Sequence, residues 1–353
     1  MDYKKQLDTL TETVISQGAS DLHLIGGNRP VVRVTGELLE LMSEVALTDT
    51  DMQGFIEQLL SEEQKKRFFE TKEIDFAWSY GEKARFRGNG YFERGTIGVA
   101  LRLIPQQIKT LAELNLPPVL ETFAAREQGF FIVVGPVGQG KTTTLASMLE
   151  LINNTRTEHI ITIEDPIEYL FQNKKSIIDQ REVRIDTANF ETALQSVFRQ
   201  DVDVVMIGEM RTPETIATAV TAAETGHLVF STLHTNNAAQ TIDRIIDSFD
   251  SAQQEQIRIQ LAASLAGIFS QRLIPRVAGG LIPVYELLAN NDAVGNLIRE
   301  KRTHELQTII ETGSDEGMID MNRSLAGLVR AGEITVDTAY ARSWNPKTLE
   351  RLL

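Results

Sequence analysis

Cysteine is absent from this chain of 353 residues, and so are the long apolar runs that mark membrane proteins. Without cysteine the chain can form neither disulfide bonds nor thiolate zinc sites, and a reducing compartment is permitted. No apolar run approaches the roughly 18 residues that span a bilayer, and the first residues lack the apolar core of a signal peptide. We therefore expect a cytoplasmic protein that contacts a membrane only through partners.

Positive charge is also in short supply. The sequence has 35 basic and 49 acidic residues, which gives a formal net charge of −14. A charge of this sign repels a phosphodiester backbone unless basic side chains gather on one face, so nucleic acid is a disfavoured partner. The length exceeds that of one average core and predicts about two or three folded domains.

Short extended segments dominate the first third of the chain. Alternating or short apolar runs predict five strands, at 22–25, 30–34, 74–80, 84–91 and 98–104. One helix is expected before them and two more between the second and third strands, the later one opened by a capping-box pattern at Ser61 and Gln64. We expect a small mixed α/β domain over 1–104 and a proline-bounded linker over 105–118.

Strands and helices alternate in the middle of the chain. Apolar, β-rich runs lie at 129–134, 160–164, 202–207 and 228–233, and helical stretches separate them near 141–153, 189–199, 212–225 and 237–248. Such alternation predicts a parallel sheet covered on both faces, here over 119–288. After Pro283 the pattern indicates helices to the end, in a region over 289–353 with candidates at 291–300, 302–312 and 318–331.

A complete phosphate-binding loop stands between the first of these strands and its helix: Gly135-Pro136-Val137-Gly138-Gln139-Gly140-Lys141-Thr142, followed by Thr143. Its glycines permit tight turns that present N–H groups to phosphate oxygens. Lys141 would reach the β- and γ-phosphates, and the Thr142 hydroxyl would ligate Mg²⁺. A chance match is expected in roughly one such chain in a hundred. The loop predicts binding of ATP or GTP.

Carboxylates follow two of the other strands, where a doubly wound sheet places its reactive groups. Glu164 and Asp165 end one strand before Pro166, and Glu209 follows another after Gly208. A carboxylate at these positions can orient the attacking water or help to hold Mg²⁺. Taken alone, each is more often a solvated loop charge, but their combination with the phosphate loop favours a hydrolytic site.

Two histidines bracket the next strand. His234 lies at its carboxyl end, where it could sense the γ-phosphate or couple it to movement. His227 lies at the other end, and a core or surface role for it is equally consistent with the sequence. A zinc pair is disfavoured, because seven residues across a strand is a poor ligand spacing.

Three arginines in the first domain are further candidates. Period two places Arg85 and Arg87 on one face of a strand, and Arg102 lies in a later strand. By themselves they are best read as surface charges that pair with the acidic excess. The alternative is an arginine that reaches a nucleotide from outside its own site and stabilises transition-state charge.

Together the motifs resemble the secretion and type IV pilus ATPase superfamily, and within it the PilT-type ATPases of pilus retraction and twitching motility. The resemblance is carried by residues 18–23, 84–89, 135–146, 159–168, 180–183, 208–211, 221–235 and 296–300. It implies a PAS-like N-terminal domain, a RecA-like core and a homo-hexameric ring. It also implies an ATP-hydrolysing motor that is cytoplasmic, peripheral at the inner membrane, and coupled to an inner-membrane pilus platform protein.

The resemblance also implies roles for single residues. Lys141 and Thr142 match the Walker A motif, and Gly208 with Glu209 matches an atypical Walker B motif that lacks the usual Asp. The other matches are Glu164 and Asp165 in an Asp box, His227 and His234 in a His box, and Arg85, Arg87 and Arg102 as arginines that approach a nucleotide shared between subunits. Thr142, Asp165 and Glu209 are the expected Mg²⁺ ligands, and His227 is expected to contact the nucleotide.

Several alternatives stay open at this stage. Either Glu164 or Glu209 can orient water. Three competing functions also remain: a pilus-assembly or type II secretion ATPase, a weakly hydrolysing regulatory ring subunit, and a RecA-like nucleic-acid motor. Two departures from the family pattern stand out: Gly295 replaces an arginine of the C-terminal motif, and Gln139 is unusual in the phosphate loop. A glycine inside a helix costs about 1 kcal/mol relative to alanine.

Overall fold

The computed structural model describes residues 2–34, 36–81, 83–105 and 107–353. It divides into two compact units, residues 1–107 with 168–170, and residues 108–167 with 171–353. None of the described helices combines the length and the hydropathy of a membrane-spanning segment.

The first unit is a six-stranded antiparallel sheet with three helices. Its strands, in the spatial order β3-β2-β1-β6-β5-β4, are β1 (Asp21–Ile25), β2 (Val31–Val34), β3 (Glu37–Glu40), β4 (Glu73–Tyr80), β5 (Ala84–Glu93) and β6 (Thr96–Ile104). Its helices are α1 (Tyr3–Ser16), α2 (Asp49–Leu59) and α3 (Glu62–Thr71). All five predicted strands are present, and the predicted capping box of Ser61 and Gln64 is confirmed.

One core joins the sheet of this unit to its helices. Leu10 of α1 and Phe55 of α2 are fully buried in the same cluster as Leu22 and Val99 of the sheet. Strand β3 was not predicted, because all four of its residues are exposed and no alternation marks them.

The second unit contains a seven-stranded sheet in the order β13-β12-β7-β11-β10-β8-β9. The strands are β7 (Gly129–Val134), β8 (His159–Glu164), β9 (Ile177–Glu182), β10 (Val204–Ile207), β11 (Leu228–Leu233), β12 (Leu265–Pro275) and β13 (Leu281–Ala289). Every pairing is parallel except that of β12 with β13. The predicted α/β class with a parallel sheet is therefore confirmed.

Helices cover this sheet and form most of the C-terminal region. They are α4 (Leu120–Ala124), α5 (Lys141–Thr155), α6 (Phe190–Val197), α7 (Pro213–Glu224), α8 (Ala238–Asp247), α9 (Ser251–Ser264), α10 (Asp292–Arg299), α11 (Leu306–Thr312), α12 (Met321–Arg330), α13 (Val336–Arg342) and α14 (Pro346–Leu352). Short 3₁₀ turns lie at 303–305 and 314–316. The predicted helices are present, whereas α4 and α9 were not foreseen. Helices α13 and α14 lie in the stretch predicted to be helical to the end, outside its three candidate ranges.

Both faces of the inner strand β7 are covered. Phe131 and Val133 pack with the residues of α5, whereas Phe130, Ile132 and Val134 belong to the cluster on the opposite face. All six residues of β7 are buried, which explains its continuous apolar run. The parallel arrangement brings the carboxyl ends of β7, β8, β10 and β11 to one edge of the sheet.

The prediction of helix after Pro283 is wrong for residues 283–289. These residues form most of β13, which pairs with β12 from Leu281 to Ala289 in a hairpin. Two consecutive glycines, Gly279 and Gly280, adopt positive φ in the hairpin loop and were the available signal. A short apolar run cannot be assigned to strand or helix by periodicity alone.

Candidate active site

The phosphate loop connects β7 to α5 in a conformation that requires glycine. Gly135 has a φ of 148°, and a Cβ there would lie 2.3 Å from the carbonyl oxygen of Gln271. Gly140 has a φ of 78° and stands at the N-cap of α5. No described side chain caps this helix, so its first N–H groups face outward as an anion-binding end.

Lys141 lies at the start of α5 with its side chain buried under the loop. Its Nζ donates hydrogen bonds to the carbonyl oxygens of Gly135 at 2.8 Å and Pro136 at 3.0 Å. It also lies 3.2 Å from Nδ1 of His234. These contacts hold the ammonium group at the mouth of the loop, where phosphate oxygens are expected to bind.

The ring of His234 stands between this lysine and a carboxylate. Its Nε2 lies 3.6 Å from Oε2 of Glu209. Since a lysine ammonium has only hydrogens to offer, Nδ1 must accept from Lys141, and the ring proton of the neutral imidazole belongs on Nε2. The imidazole therefore links the phosphate-binding lysine to the carboxylate that follows β10.

Glu209 opens onto solvent-accessible space. It forms an ion pair with Arg211, and both residues line a cavity of about 520 Å³ together with His234 and Arg244. The side chain of Glu209 is 18% exposed. A water molecule can therefore approach this carboxylate.

Glu164, at the end of β8, has a different environment. It is 3% exposed and accepts hydrogen bonds from Thr162 Oγ1 at 2.6 Å and from Gln180 Nε2 at 3.2 Å. Gln180 comes from β9, the neighbouring strand that the sequence analysis missed. Glu164 is thus held by side chains of two adjacent strands.

Gly208 explains why no aspartate stands before Glu209. Its N–H donates to the carbonyl of Ile163 at 2.8 Å, and a Cβ on it would lie 3.3 Å from that oxygen. Thr232 of β11 donates to the carbonyl of Gly208 at 2.6 Å. The ends of β8, β10 and β11 are therefore packed too closely to accept a larger residue comfortably.

The predicted Mg²⁺ ligands are only partly assembled. Asp165 forms an ion pair with Arg184 at 3.1 Å. The peptide bond between Asp165 and Pro166 is cis. Over the described residues, no group of three or more acidic or histidine side chains is arranged to hold a metal. Mg²⁺ commonly takes one or two protein oxygens and completes its shell with phosphate and water, so Thr142 and Glu209 remain compatible with a nucleotide-borne ion.

The three predicted arginines lie on the sheet of the first unit. Arg85 and Arg87 are on β5, and Arg87 stands directly opposite Arg102 of β6. Arg102 Nε donates to Asp21 at 2.8 Å, and Arg33 lies 3.9 Å from the same carboxylate. Burial alone would raise the pKa of Asp21, but hydrogen bonds from Ser20 and Arg102 outweigh burial and lower that pKa. We call Arg85, Arg87 and Arg102 the arginine row. Together with Arg33 and Asp21 it carries more positive than negative charge, which favours binding of an anion.

His227 is not brought to the phosphate loop within one chain. It precedes β11, and its ring contacts the carbonyl of Ala222 at 3.0 Å and the ring of Phe198. The six residues of β11 separate it from His234 by about 20 Å. This placement gives no support to the predicted contact between His227 and the nucleotide.

A family model described as "Type II/IV secretion system protein" matches residues 3–280. The chain belongs to this family. The type IV pilus retraction ATPase PilT of Pseudomonas aeruginosa is 41% identical over 94% of this chain and 96% of its own length. A twitching motility protein of Neisseria gonorrhoeae is 40% identical over 91% of this chain and 86% of its own.

A solved structure agrees with these relatives. The crystal structure of the pilus retraction motor PilT with bound ADP has a TM-score of 0.92 to this chain at 43% identity, and the match covers 98% of each chain. The resemblance to PilT-type ATPases, predicted from the motifs, is confirmed.

Sequence reasoning gave no role to two residues that support the site of this PilT-type chain. Gln271 of β12 contacts Thr144 and Gln139, and Gln180 of β9 contacts Glu164. Both lie on strands that were not predicted. The available signals were the segment 180–183, which carries part of the family resemblance, and the uncommon Gln139 in the loop, whose side chain accepts from the main chain of β12.

Proposed function

We propose that this chain is the ATP-hydrolysing motor that powers retraction of type IV pili. The predicted enzyme class, a P-loop ATPase, is confirmed by the family match and by relatives that are named ATPases. The observation that carries the catalytic proposal is the contact series from Lys141 through His234 to Glu209. It connects the phosphate-binding group to a carboxylate that water can reach.

The phosphate loop binds the nucleotide through backbone N–H groups and Lys141. The uncapped start of α5 adds the positive end of a helix dipole, which favours the charged phosphates. Lys141 exchanges its contacts with Gly135 and Pro136 for phosphate oxygens and stabilises charge on the transferred group. Mg²⁺ would neutralise further phosphate charge, with Thr142 as its protein ligand.

Glu209 orients the attacking water in this proposal. It borders the cavity, whereas Glu164 is buried and already accepts two hydrogen bonds. His234 senses the γ-phosphate through Lys141 and transmits its presence to Glu209. Glu164 supports the site by holding the end of β8 in place.

The arginine row of the first unit is proposed to complete the site in a homo-hexameric ring. Arg85, Arg87 and Arg102 would approach the nucleotide of another subunit and stabilise transition-state charge. Nucleotide-driven movement of the subunits would act on a pilus platform protein at the inner membrane. The excess of positive charge on this sheet face supports the proposal.

Steady-state phosphate release tests the nucleotide site. Lys141→Ala removes the ammonium group, and we expect turnover to fall at least roughly 100-fold, because transition-state charge loses its main cationic partner. The exposed Lys347→Ala is the matched control and should leave turnover unchanged. Wild-type turnover in the Lys141→Ala protein would exclude this site.

Deletion of the gene tests retraction against assembly. Excess pili that do not retract are expected for the loss of a retraction motor. Cells without pili would instead identify an assembly ATPase and would overturn the proposal.

A further inference from the structure

The phosphate loop lies directly against strand β12. A Cβ on Gly135 would lie 2.3 Å from the carbonyl oxygen of Gln271, and one on Gly140 would lie 2.9 Å from its Nε2. Gln271 itself is 3% exposed. The loop thus packs on a strand that begins more than a hundred residues later in the chain.

Two glutamine side chains connect the loop to this strand: that of Gln271 donates to the loop, and that of Gln139 accepts from the strand. Gln271 Nε2 donates to the main-chain carbonyl of Gln139 at 2.8 Å. In return, the side-chain oxygen of Gln139 accepts from the main-chain N–H of Leu273 at 2.7 Å. Gln271 Oε1 also accepts from the hydroxyl of Thr144 in α5 at 2.6 Å. We call these three hydrogen bonds the glutamine interlock.

The interlock determines where a phosphate-binding N–H points. The carbonyl of Gln139 and the N–H of Gly140 belong to one planar trans peptide, so they point in opposite directions. Because Gln271 holds that carbonyl against β12, the N–H of Gly140 is directed away from β12 and into the loop. Orientation of this donor before the ligand arrives reduces the entropy lost on binding.

We propose that Gln271 and Gln139 are positioning residues that pre-organise the phosphate loop for nucleotide. Their side chains act through the main chain of the loop and do not themselves contact the nucleotide. The expected consequence is a selective effect on nucleotide affinity and not on the chemical step. The inference rests on nucleotide binding at this loop, as proposed above.

Gln271→Leu removes two of the three hydrogen bonds. We expect the Kd for ADP to rise roughly ten-fold, because each lost bond between neutral groups weakens binding by a factor of about five when fully expressed. The turnover at saturating ATP should stay within about two-fold of wild type, since Lys141 and Glu209 are untouched. Gln139→Ser removes one bond of the interlock, that to Leu273, together with the long contact of Nε2 to the carbonyl of Val137 at 3.5 Å, and should raise the Kd about three-fold.

Thr144 provides a matched pair of variants. Thr144→Val removes the hydroxyl that donates a hydrogen bond to Gln271, whereas Thr144→Ser keeps this hydroxyl. We expect the Kd for ADP to rise in the first and to stay near wild type in the second. Gln253→Leu, at an exposed position of α9, is the control for a glutamine without a contact to the loop.

The experiment measures calorimetric binding of Mg-ADP, together with amide hydrogen exchange of residues 135–141 in the nucleotide-free protein. Faster exchange and weaker binding in Gln271→Leu and Gln139→Ser, with protection restored at saturating ADP, are the expected results. Lower unfolding temperature with an unchanged Kd would overturn the proposal, as would lower turnover with an unchanged Kd. If Gln271→Leu does not fold, the half-buried Gln139→Ser carries the same test.

Wild-type protein separates this inference from the proposed function. If the wild type binds no Mg-ADP, nucleotide binding at the loop fails and the interlock fails with it. If the wild type binds and both glutamine variants bind equally well, only the interlock is excluded.

Discussion

The carboxyl ends of β8 and β10 lie side by side in the sheet, and a glutamate stands at each. The surroundings of these two glutamates differ. Glu164 closes β8, is buried, and accepts two hydrogen bonds from neighbouring side chains. Glu209 follows β10, borders a cavity, and contacts Arg211 and His234. Identical side chains at the ends of adjacent strands thus have different surroundings.

The difference shows how environment assigns a role that residue type leaves open. A buried carboxylate that accepts hydrogen bonds from neighbouring side chains stabilises local structure and has little freedom to meet a water. A carboxylate at the edge of a cavity has the space to orient one. Five substitutions, one of them a control, can break or sharpen this comparison.

The largest effect is expected for Glu209→Gln. The amide keeps the shape but loses the negative charge that orients water, so turnover should fall roughly 100- to 1000-fold. Nucleotide affinity should change little, because the phosphate loop is unaffected. Single-turnover hydrolysis and ADP binding measure the two quantities, and near-normal hydrolysis would assign the water-orienting role elsewhere.

A third glutamate, Glu286, extends the comparison to a buried carboxyl group that accepts a hydrogen bond from the main-chain N–H of Ala238. Burial raises the pKa of Glu286 to about 7, the nearby Asp320 adds to the rise, and the hydrogen bond from Ala238 opposes it. The folded state therefore keeps a proton that the unfolded chain releases near pH 4.5, and stability falls as pH rises from about 4.5 to 7.

Glu286→Gln should remove this dependence on pH. The cost of ionising the wild-type carboxyl is on the order of 3 kcal/mol above pH 7, at about 1.4 kcal/mol for each unit of pKa. Denaturant unfolding at pH 5 and pH 8 should show a clear loss of stability in the wild type and a flatter response in the variant. Equal slopes in both proteins would contradict the assignment.

Glu164→Gln should affect stability more than chemistry. Thr162 and Gln180 both donate to one carboxylate oxygen, and the neutral amide oxygen of the variant accepts these bonds less strongly, so unfolding free energy should fall by about 1–2 kcal/mol. Turnover should fall about ten-fold or less, as the β8 end loosens. A loss of turnover as large as that of Glu209→Gln would reverse the roles of the two residues.

The smallest effects are expected at two glycines, Gly208 after the end of β10 and Gly295 inside α10. A Cβ at Gly208 would crowd the carbonyl of Ile163 at 3.3 Å, so Gly208→Ala should cost about 1 kcal/mol and disturb Glu209. In the control Gly295→Ala, the nearest atoms lie at 3.4 Å, and the gain in helix propensity should stabilise α10 by up to about 1 kcal/mol. Thermal unfolding compares the two, and equal shifts would remove close packing as the explanation for Gly208.

Much of the site was predictable because its signals are local. The loop from Gly135 to Thr142 follows a strand and opens a helix, and parallel strands bring Glu164, Glu209 and His234 to the same edge. The same reasoning predicted the alternating core and the six-residue strand β7. A periodic or motif-based signal exists wherever neighbours in sequence determine the contact.

Other parts depend on contacts between distant residues. Strand β9 is partly polar and its register is set by β8, and β12 follows a helix without a clear break. Gln271 carries no motif of its own, and its role emerges only from pairing with a loop 132 residues earlier. Nothing in the local sequence distinguishes Glu164 from Glu209, because burial and cavities arise from the assembled sheet.

The pairing of Gln271 with the loop also sets an order in time. During synthesis, the residues of the phosphate loop leave the ribosome long before β12 has been translated. We expect a nascent chain that ends before Leu265 to contain the whole Walker A sequence but to lack the support that shapes it. Nucleotide competence should therefore arrive late in translation, so ATP cannot engage a well-formed loop on a half-made motor.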